Sequence, residues 1–245
     1  MRSSEFVVNL NEDVKWLSFP PLDAYPFIIH GFFVKNRNFP PDRKTKEVEK
    51  FLHRITSRRR ELISLSQMHQ DECVIMTSRD KLKTRYKGDA VLTDRDDIYI
   101  SVWVADCVPI FLVEEKRRVV GLVHAGWRGT LLGIVQRTLE RAKDQLGCES
   151  RDFTVLFGPC IQSCCYQVSD NVAILFDDDC VNRAQNGEVT LDLTCANLKQ
   201  LVNCGVKEDS IFVTGKCTCC EAELFHSYRR EKKHAGKMIG FMGLK

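Results

Sequence analysis

IYISVWVADCVPIFLVEEKRRVVGLVHAGWRG, residues 98–129, contains three short apolar runs, 98–104, 110–113 and 119–123, rich in β-branched and aromatic residues. Runs of this length and composition read as strands, and the polar EEKRR between the last two reads as a turn. A hairpin joining 110–113 to 119–123 brings Cys107 and His124 towards the same edge of a sheet. The segment that follows, 131–146, places Leu131, Leu132, Val135, Leu139, Ala142 and Leu146 close to a 3.6-residue period, which predicts a helix.

Outward from this stretch, further strands are predicted at 27–33, 73–77, 90–93, 153–157 and 211–213, and helices at 171–176 and 193–204. Val48, Phe51, Leu52 and Ile55 predict an amphipathic, solvent-exposed helix starting near Thr45, whose basic end (Arg58, Arg59, Arg60) reads as a solvated terminus. Strands alternate with helices, yet hairpin-like pairs also occur, as in 98–123. The expected fold class is therefore α+β (mixed α/β), a mixed sheet with helices packed on it in one domain spanning 1–245. There is no internal repeat, no G-x-G-x-x-G and no P-loop.

The 245 residues include 36 basic and 33 acidic ones, a net charge of +3 that argues for neither a nucleic-acid nor a membrane partner. The N-terminus carries no secretory h-region, and no apolar stretch is long enough to span a bilayer, so a cytosolic location is expected. Twelve cysteines in such a chain are expected to be mostly free thiols. Cys160, Cys164, Cys165, Cys217, Cys219 and Cys220 stand out by density. A second, structural zinc site is one reading, but only Cys217 and Cys220 have C-x-x-C spacing, and the preferred reading is small buried side chains.

Three segments beside apolar runs concentrate polar groups: Gln67-Met68-His69, Ala105-Asp106-Cys107-Val108-Pro109, and His124-Ala125-Gly126-Trp127-Arg128-Gly129. One cysteine and two histidines suit Zn²⁺, and three protein ligands leave a fourth position for water or substrate. Each residue also has an ordinary alternative: a hydrogen-bonded histidine, a buried cysteine, a turn-forming Asp106. The separations of 38 (107−69) and 17 (124−107) positions do not choose between them. In HAGWRGT, Gly126 and Gly129 permit close backbone approach, and Arg128, just ahead of the predicted 131–146 helix, suits an anion such as phosphate. Packing at a loop–helix junction is the alternative for Trp127 and Arg128.

At these residues the chain resembles the laccase-domain family, once described as multicopper polyphenol oxidoreductases and now as purine nucleoside phosphorylases, which includes the bacterial peptidoglycan editing factor. The matching pieces, in order, are QMH (67–69), GDAVLTD (88–94), VADCVPIFL (104–112), HAGWRGT (124–130), GPCIQSCCYQV (158–168), LDLTCAN (191–197), CTC (217–219) and SYRRE…AGKMIGF (227–241). The resemblance implies metal ligands at His69, Cys107 and His124, usually zinc, and layered mixed sheets flanked by helices, like the toxin-type cysteine hydrolases. It also implies purine nucleosides and inorganic phosphate as partners: a transferase that phosphorolyses adenosine, inosine, guanosine and 5′-methylthioadenosine, with adenosine deamination as a hydrolase side activity.

Within that reading the catalytic group is His69, Cys107, His124 and Asp106, the last as ligand-orienting residue or proton carrier. Arg128 and Arg229 bind substrate or phosphate, with Arg230 either a third contact or structural. The chain departs from the family pattern after the first strand, where VKNRNFPPDRK replaces a Gly-Gly turn, and in carrying Gln167 for Glu and Lys237 for Arg. The alternatives are a copper-dependent polyphenol oxidase, a cysteine hydrolase editing peptidoglycan precursors with Cys107 as nucleophile and His124 as base, and a non-enzymatic protein with a structural zinc. Copper would suit a two-histidine, one-cysteine set, but six histidines are few for a multicopper oxidase.

Overall fold

The computed structural model describes residues 2–11, 14–35, 45–83 and 85–245. Two large mixed sheets dominate it. One has seven strands in the order Arg2–Ser3, Ile211–Val213, Phe153–Phe157, Val108–Glu114, Val119–Ala125, Ala90–Thr93 and Cys73–Met76. The other has six, in the order Val7–Asn11, Val14–Ser18, Ile28–Phe33, Met238–Leu244, Ile98–Val104 and Glu61–Ser64. A short ribbon pairs Val181–Arg183 with Val189–Leu191.

Three apolar clusters show how the layers stack. Ile100, Val102 and Met242 of the six-stranded sheet pack with Val91, Phe111, Val120 and Leu156 of the seven-stranded one, so the sheets lie face to face. The opposite face of the seven-stranded sheet (Leu92, Ile110, Val123, Val155) packs against the helices Ile134–Leu146 and Leu193–Asn203. The opposite face of the six-stranded sheet (Phe33, Leu62, Tyr99, Phe241) packs against the helix Thr45–Thr56 through Val48, Phe51 and Leu52. The architecture is helix, sheet, sheet, helix. The central strands are covered on both faces, which is why 98–104, 108–114 and 119–125 are buried at every position and lack the polar alternation of a half-exposed strand.

The hairpin forms as read, with Ala125 opposite Val108 and Val119 opposite Glu114. Three readings need correction. The runs 98–104 and 108–114 do not pair: they lie in different sheets, and residues 105–107 carry the chain from one sheet to the other. The predicted 131–146 helix is two helices, Trp127–Leu131 and Ile134–Leu146, parted by Gly133 in the left-handed region at φ +78°. The helix Thr45–Thr56 is amphipathic but not merely a solvent-exposed one, since Val48, Phe51 and Leu52 are buried. Ten of the twelve cysteines are unpaired, in keeping with the expectation of mostly free thiols, and Cys180 and Cys195 form a disulfide. Among the described residues no helix is long and apolar enough to cross a membrane. The departing segment VKNRNFPPDRK lies almost wholly outside the described residues.

Candidate metal centre

The hairpin puts His124 one residue from the end of its strand and Cys107 just before the start of the facing one, and the loop preceding Cys73–Met76 delivers His69 to the same place. One ligand atom from each of His69, Cys107 and His124 lies within 4.8 Å of the others. The two imidazoles meet edge to face, with centroids 4.8 Å apart. His124 is buried, Cys107 half-buried and His69 exposed, so the group opens to solvent on the His69 side.

A buried carboxylate organises the group. Asp89 is fully buried, and its Oδ1 lies 2.8 Å from His124 Nδ1. The same carboxylate accepts the backbone N–H groups of Met68, His69 and Gln70 at 3.0, 2.9 and 3.0 Å. His69 sits in the left-handed region, at φ +58°, and that conformation wraps successive N–H groups around one anion. Burial would raise the Asp89 pKa, but the hydrogen bonds from His124, Gln70 and Met68 hold it below the usual carboxylate range. With Nδ1 tied to Asp89, the other ring nitrogen of His124 is the one free to face Cys107. This carboxylate–histidine pairing is the outer support that metal-ligating histidines ordinarily carry. Gln67 docks the same loop, donating to the Trp103 carbonyl at 2.8 Å and accepting its N–H at 2.9 Å.

The electrostatics of the ligands agree with a metal-ready site. Burial on its own would raise the Cys107 thiol, yet the facing His124 and His69 rings outweigh it and lower the pKa. Burial on its own would lower His124, yet the Cys107 sulfur and Asp89 raise it. The pair is poised as thiolate and imidazolium, and a divalent cation in place of the His124 proton would raise the net charge of the group by one.

Both glycines of HAGWRG serve close approach. A Cβ on Gly126 would stand 3.1 Å from Cys107 Sγ and 3.4 Å from His69 Cδ2, and one on Gly129 would stand 2.9 Å from the Gln70 carbonyl. The helix Trp127–Leu131 thus lies directly on the His69 loop.

The remaining expected residues divide. Arg128 lies inside that five-residue helix rather than ahead of a long one, so the anticipated dipole of the 131–146 helix does not act at it. Its guanidinium stacks over Trp127 at 4.4 Å and makes no hydrogen bond or ion pair among the described residues. Arg229 stacks over Tyr166 at 5.3 Å and donates to the carbonyls of Cys165 and Gln167 at 3.3 and 2.8 Å. Arg230 is structural, donating to the carbonyls of Thr218, Cys219 and Phe225. Asp106, at φ +89°, accepts the Thr218 hydroxyl at 2.7 Å and the Arg229 backbone N–H at 2.6 Å. Its carboxylate is therefore engaged with neighbouring loops rather than hydrogen-bonded to a ligand histidine. Asp89 and Tyr166 were not singled out from sequence. Both stood inside quoted motifs, GDAVLTD and CCYQV, but an acidic or aromatic residue beside a strand carries no mark of what it faces. Burial and the nearby Cys107 push the Tyr166 phenol up to about 12, which places it in the electrostatic reach of the ligand group.

The family model described as "Multi-copper polyphenol oxidoreductase laccase" matches residues 40–245. The chain belongs to this laccase-like family. Among its relatives, purine nucleoside phosphorylase YlmD of Bacillus subtilis is 29% identical over 225 residues, covering 86% of this chain and 77% of that one. The purine nucleoside phosphorylase of Aquifex aeolicus is 38% identical over 166 residues, covering 68% and 75%. The crystal structure of YlmD from Geobacillus stearothermophilus superposes with a TM-score of 0.85 at 26% identity, covering 98% of this chain and all of that one. That of Bacillus licheniformis protein YfiH gives 0.84 at 27% identity, covering 97% and 99%. The expected family and the mixed α/β class are thus correct. The names of these phosphorylase relatives specify no deamination and no metal.

Proposed function

We propose that this laccase-like chain is a zinc-dependent purine nucleoside phosphorylase, with residues 1–245 acting as one catalytic domain. The observation that carries the metal assignment is the pair of imidazoles converging with one thiolate, His124 being braced by Asp89. A cysteine nucleophile with its base would need only one of the two histidines. The six histidines also weigh against a multicopper oxidase: His30 accepts the Phe19 N–H and His226 meets Glu231, so they feed no further metal cluster among the described residues.

In phosphorolysis a phosphate oxygen attacks C1′ of the ribose, the C1′–N9 bond breaks, and the purine leaves with a proton on its ring. His69, Cys107 and His124 would hold a zinc ion, which would supply positive charge beside the reacting phosphate. Arg128, unengaged and stacked on Trp127, holds phosphate as a forked donor. Arg229 has donors left beyond those committed to Cys165 and Gln167 and is the second proposed anion contact. Tyr166 stays protonated and offers a hydroxyl. Asp106 positions the Cys107 turn by anchoring it to Thr218 and Arg229. The proposed substrates are adenosine, inosine, guanosine and 5′-methylthioadenosine.

Incubation of the purified protein with each nucleoside, with and without phosphate, tests this reading. Free base with a stoichiometric amount of the sugar 1-phosphate (ribose 1-phosphate, or 5-methylthioribose 1-phosphate from 5′-methylthioadenosine) is the expected product. Inosine from adenosine without phosphate would reveal the accompanying deamination. No base release from any nucleoside under either condition overturns the phosphorylase assignment.

A second reading has one specific observation behind it: Cys107, His124 and Asp89 also line up as thiolate, imidazolium and orienting carboxylate. A cysteine hydrolase acting on peptidoglycan precursors would use them as nucleophile, base and orienter. It requires metal-free protein to be the active form, so chelator treatment that raises hydrolysis favours it and chelator treatment that abolishes turnover excludes it.

A further inference from the structure

A second group of metal-type donors lies apart from the first, and it is one that the sequence spacing did not select. We propose that Cys164, Cys165, Cys217 and Cys220 bind a zinc ion as a closed, structural tetrathiolate site. Two loops build it. The loop carrying Cys164 and Cys165 and the turn carrying Cys217 to Cys220 are stitched together by a parallel bridge between Cys160 and Cys217. In it the Cys160 N–H donates to the Lys216 carbonyl at 3.2 Å and the Thr218 N–H to the Cys160 carbonyl at 3.0 Å.

The four sulfurs all lie within 4.8 Å of one another. Cys165 to Cys220 is 3.3 Å, Cys164 to Cys220 3.7 Å and Cys164 to Cys165 3.8 Å. A regular tetrahedron with Zn–S bonds of about 2.3 Å has edges of about 3.8 Å, so two of the three separations already match and the third needs a shift of about half an ångström. Four thiols gathered this closely, three of them at least partly exposed, have no apolar packing role that would explain the convergence.

One further feature supports the same ligand. Four thiolates on one divalent cation carry a net charge of −2, and two guanidiniums are fastened to these same loops. Arg229 binds the carbonyl of Cys165, and Arg230 binds those of Thr218 and Cys219. All four coordination positions are protein sulfurs, so the site has no place for substrate and its role is to hold the two loops. Those loops meet Asp106 from both sides: the Ile161 N–H donates to its carbonyl at 2.9 Å and the Thr218 hydroxyl to its carboxylate. The ion therefore braces the turn that bears Cys107.

Metal analysis of protein purified under reductant tests this without reference to activity. About two zinc ions per chain are expected in the native sequence, and about one in His69→Ala/His124→Ala. Exchange of that variant with cobalt should give the intense visible bands of a tetrahedral sulfur-only site, lost in Cys164→Ser/Cys220→Ser on the same background. If the serine variant fails to fold, the cobalt spectrum of the histidine variant decides alone. One metal ion in the native chain and none in the histidine variant would overturn the proposal. So would a Cys165–Cys220 disulfide in reductant-treated protein, or four thiols that react in the native state as fast as after denaturation. Any of these failures would leave the His69, Cys107 and His124 assignment untouched.

Discussion

The two ligand groups differ in every respect that separates a reactive site from a structural one. The first has three donors of mixed type, drawn from three distant segments and steadied by a buried carboxylate, with one side open at His69. The second has four identical donors on two neighbouring loops, joined by the Cys160–Cys217 bridge and by arginine–carbonyl contacts. Incomplete coordination leaves room for chemistry, whereas complete coordination uses the metal as a cross-link. Asp106 joins them, anchored to the second group's loops and adjacent to Cys107 of the first.

The largest expected effect separates the two groups outright. Cys107→Ala should abolish phosphorolysis and remove the first metal while the second stays bound, as read by metal analysis on folded protein. Metal retained in full would dissolve the distinction between the groups.

Acid sharpens the comparison because both groups release metal as ligands protonate, on top of a loss that belongs to the fold itself. His30 is buried between Phe19 and the Asp23 and Lys245 side, and its Nε2 accepts the Phe19 N–H at 3.0 Å. Burial first, then Lys245, lowers its pKa to about 4. The unfolded value is higher, near 6.5, so protons bind the unfolded chain first as pH falls. Stability is intact above about 6.5 and declines towards pH 4 by up to about 3 kcal/mol, from about 2.5 units at 1.36 kcal/mol each. Asp23, raised by burial, opposes this only in the carboxylate range. Denaturant unfolding of metal-free protein across this window measures it, and His30→Gln should flatten the slope. An unchanged slope would place the acid sensitivity elsewhere.

Asp89→Asn should weaken metal binding at the first group by about ten- to a hundredfold, as loss of an outer-shell carboxylate does, and leave the second group unaffected. Competition with a chromophoric chelator reads both. An equal loss at both groups would mean that Asp89 acts through the fold rather than through His124 and the His69 loop.

The smallest effect is Arg128→Ala. It should raise the Michaelis constant for phosphate by about tenfold, the equivalent of one charge-assisted contact of about 1.5 kcal/mol. Metal content at both groups should not change, and Arg128→Lys should recover part of the loss. Unchanged phosphate dependence would leave Arg128 as a packing partner of Trp127.

The strands at 90–93, 98–104, 153–157 and 211–213 were legible residue for residue, because β-branched runs between turn signals have few other uses. Met238–Leu244 was not, although it is central to the six-stranded sheet: Gly240 and Gly243 break up its apolar signal. Val7–Asn11, Val14–Ser18 and Glu61–Ser64 were missed too, being short and mixed in polarity.

The sequence alone determined the hairpin that brings Cys107 and His124 to one sheet edge, since a hairpin is a local pairing, while the full set with His69 followed from the family resemblance and not from spacing. Only the tertiary structure decided the rest. Asp89 becomes a brace because the Ala90–Thr93 strand runs beside Val119–Ala125. Arg128 loses its long helix to a left-handed Gly133. Four cysteines with only one C-x-x-C among them come within 4.8 Å of one another because loops 53 positions apart (217−164) meet in space. Spacing along the chain carries information only for ligands on one element, and the packing of two loops is set by the sheets beneath them.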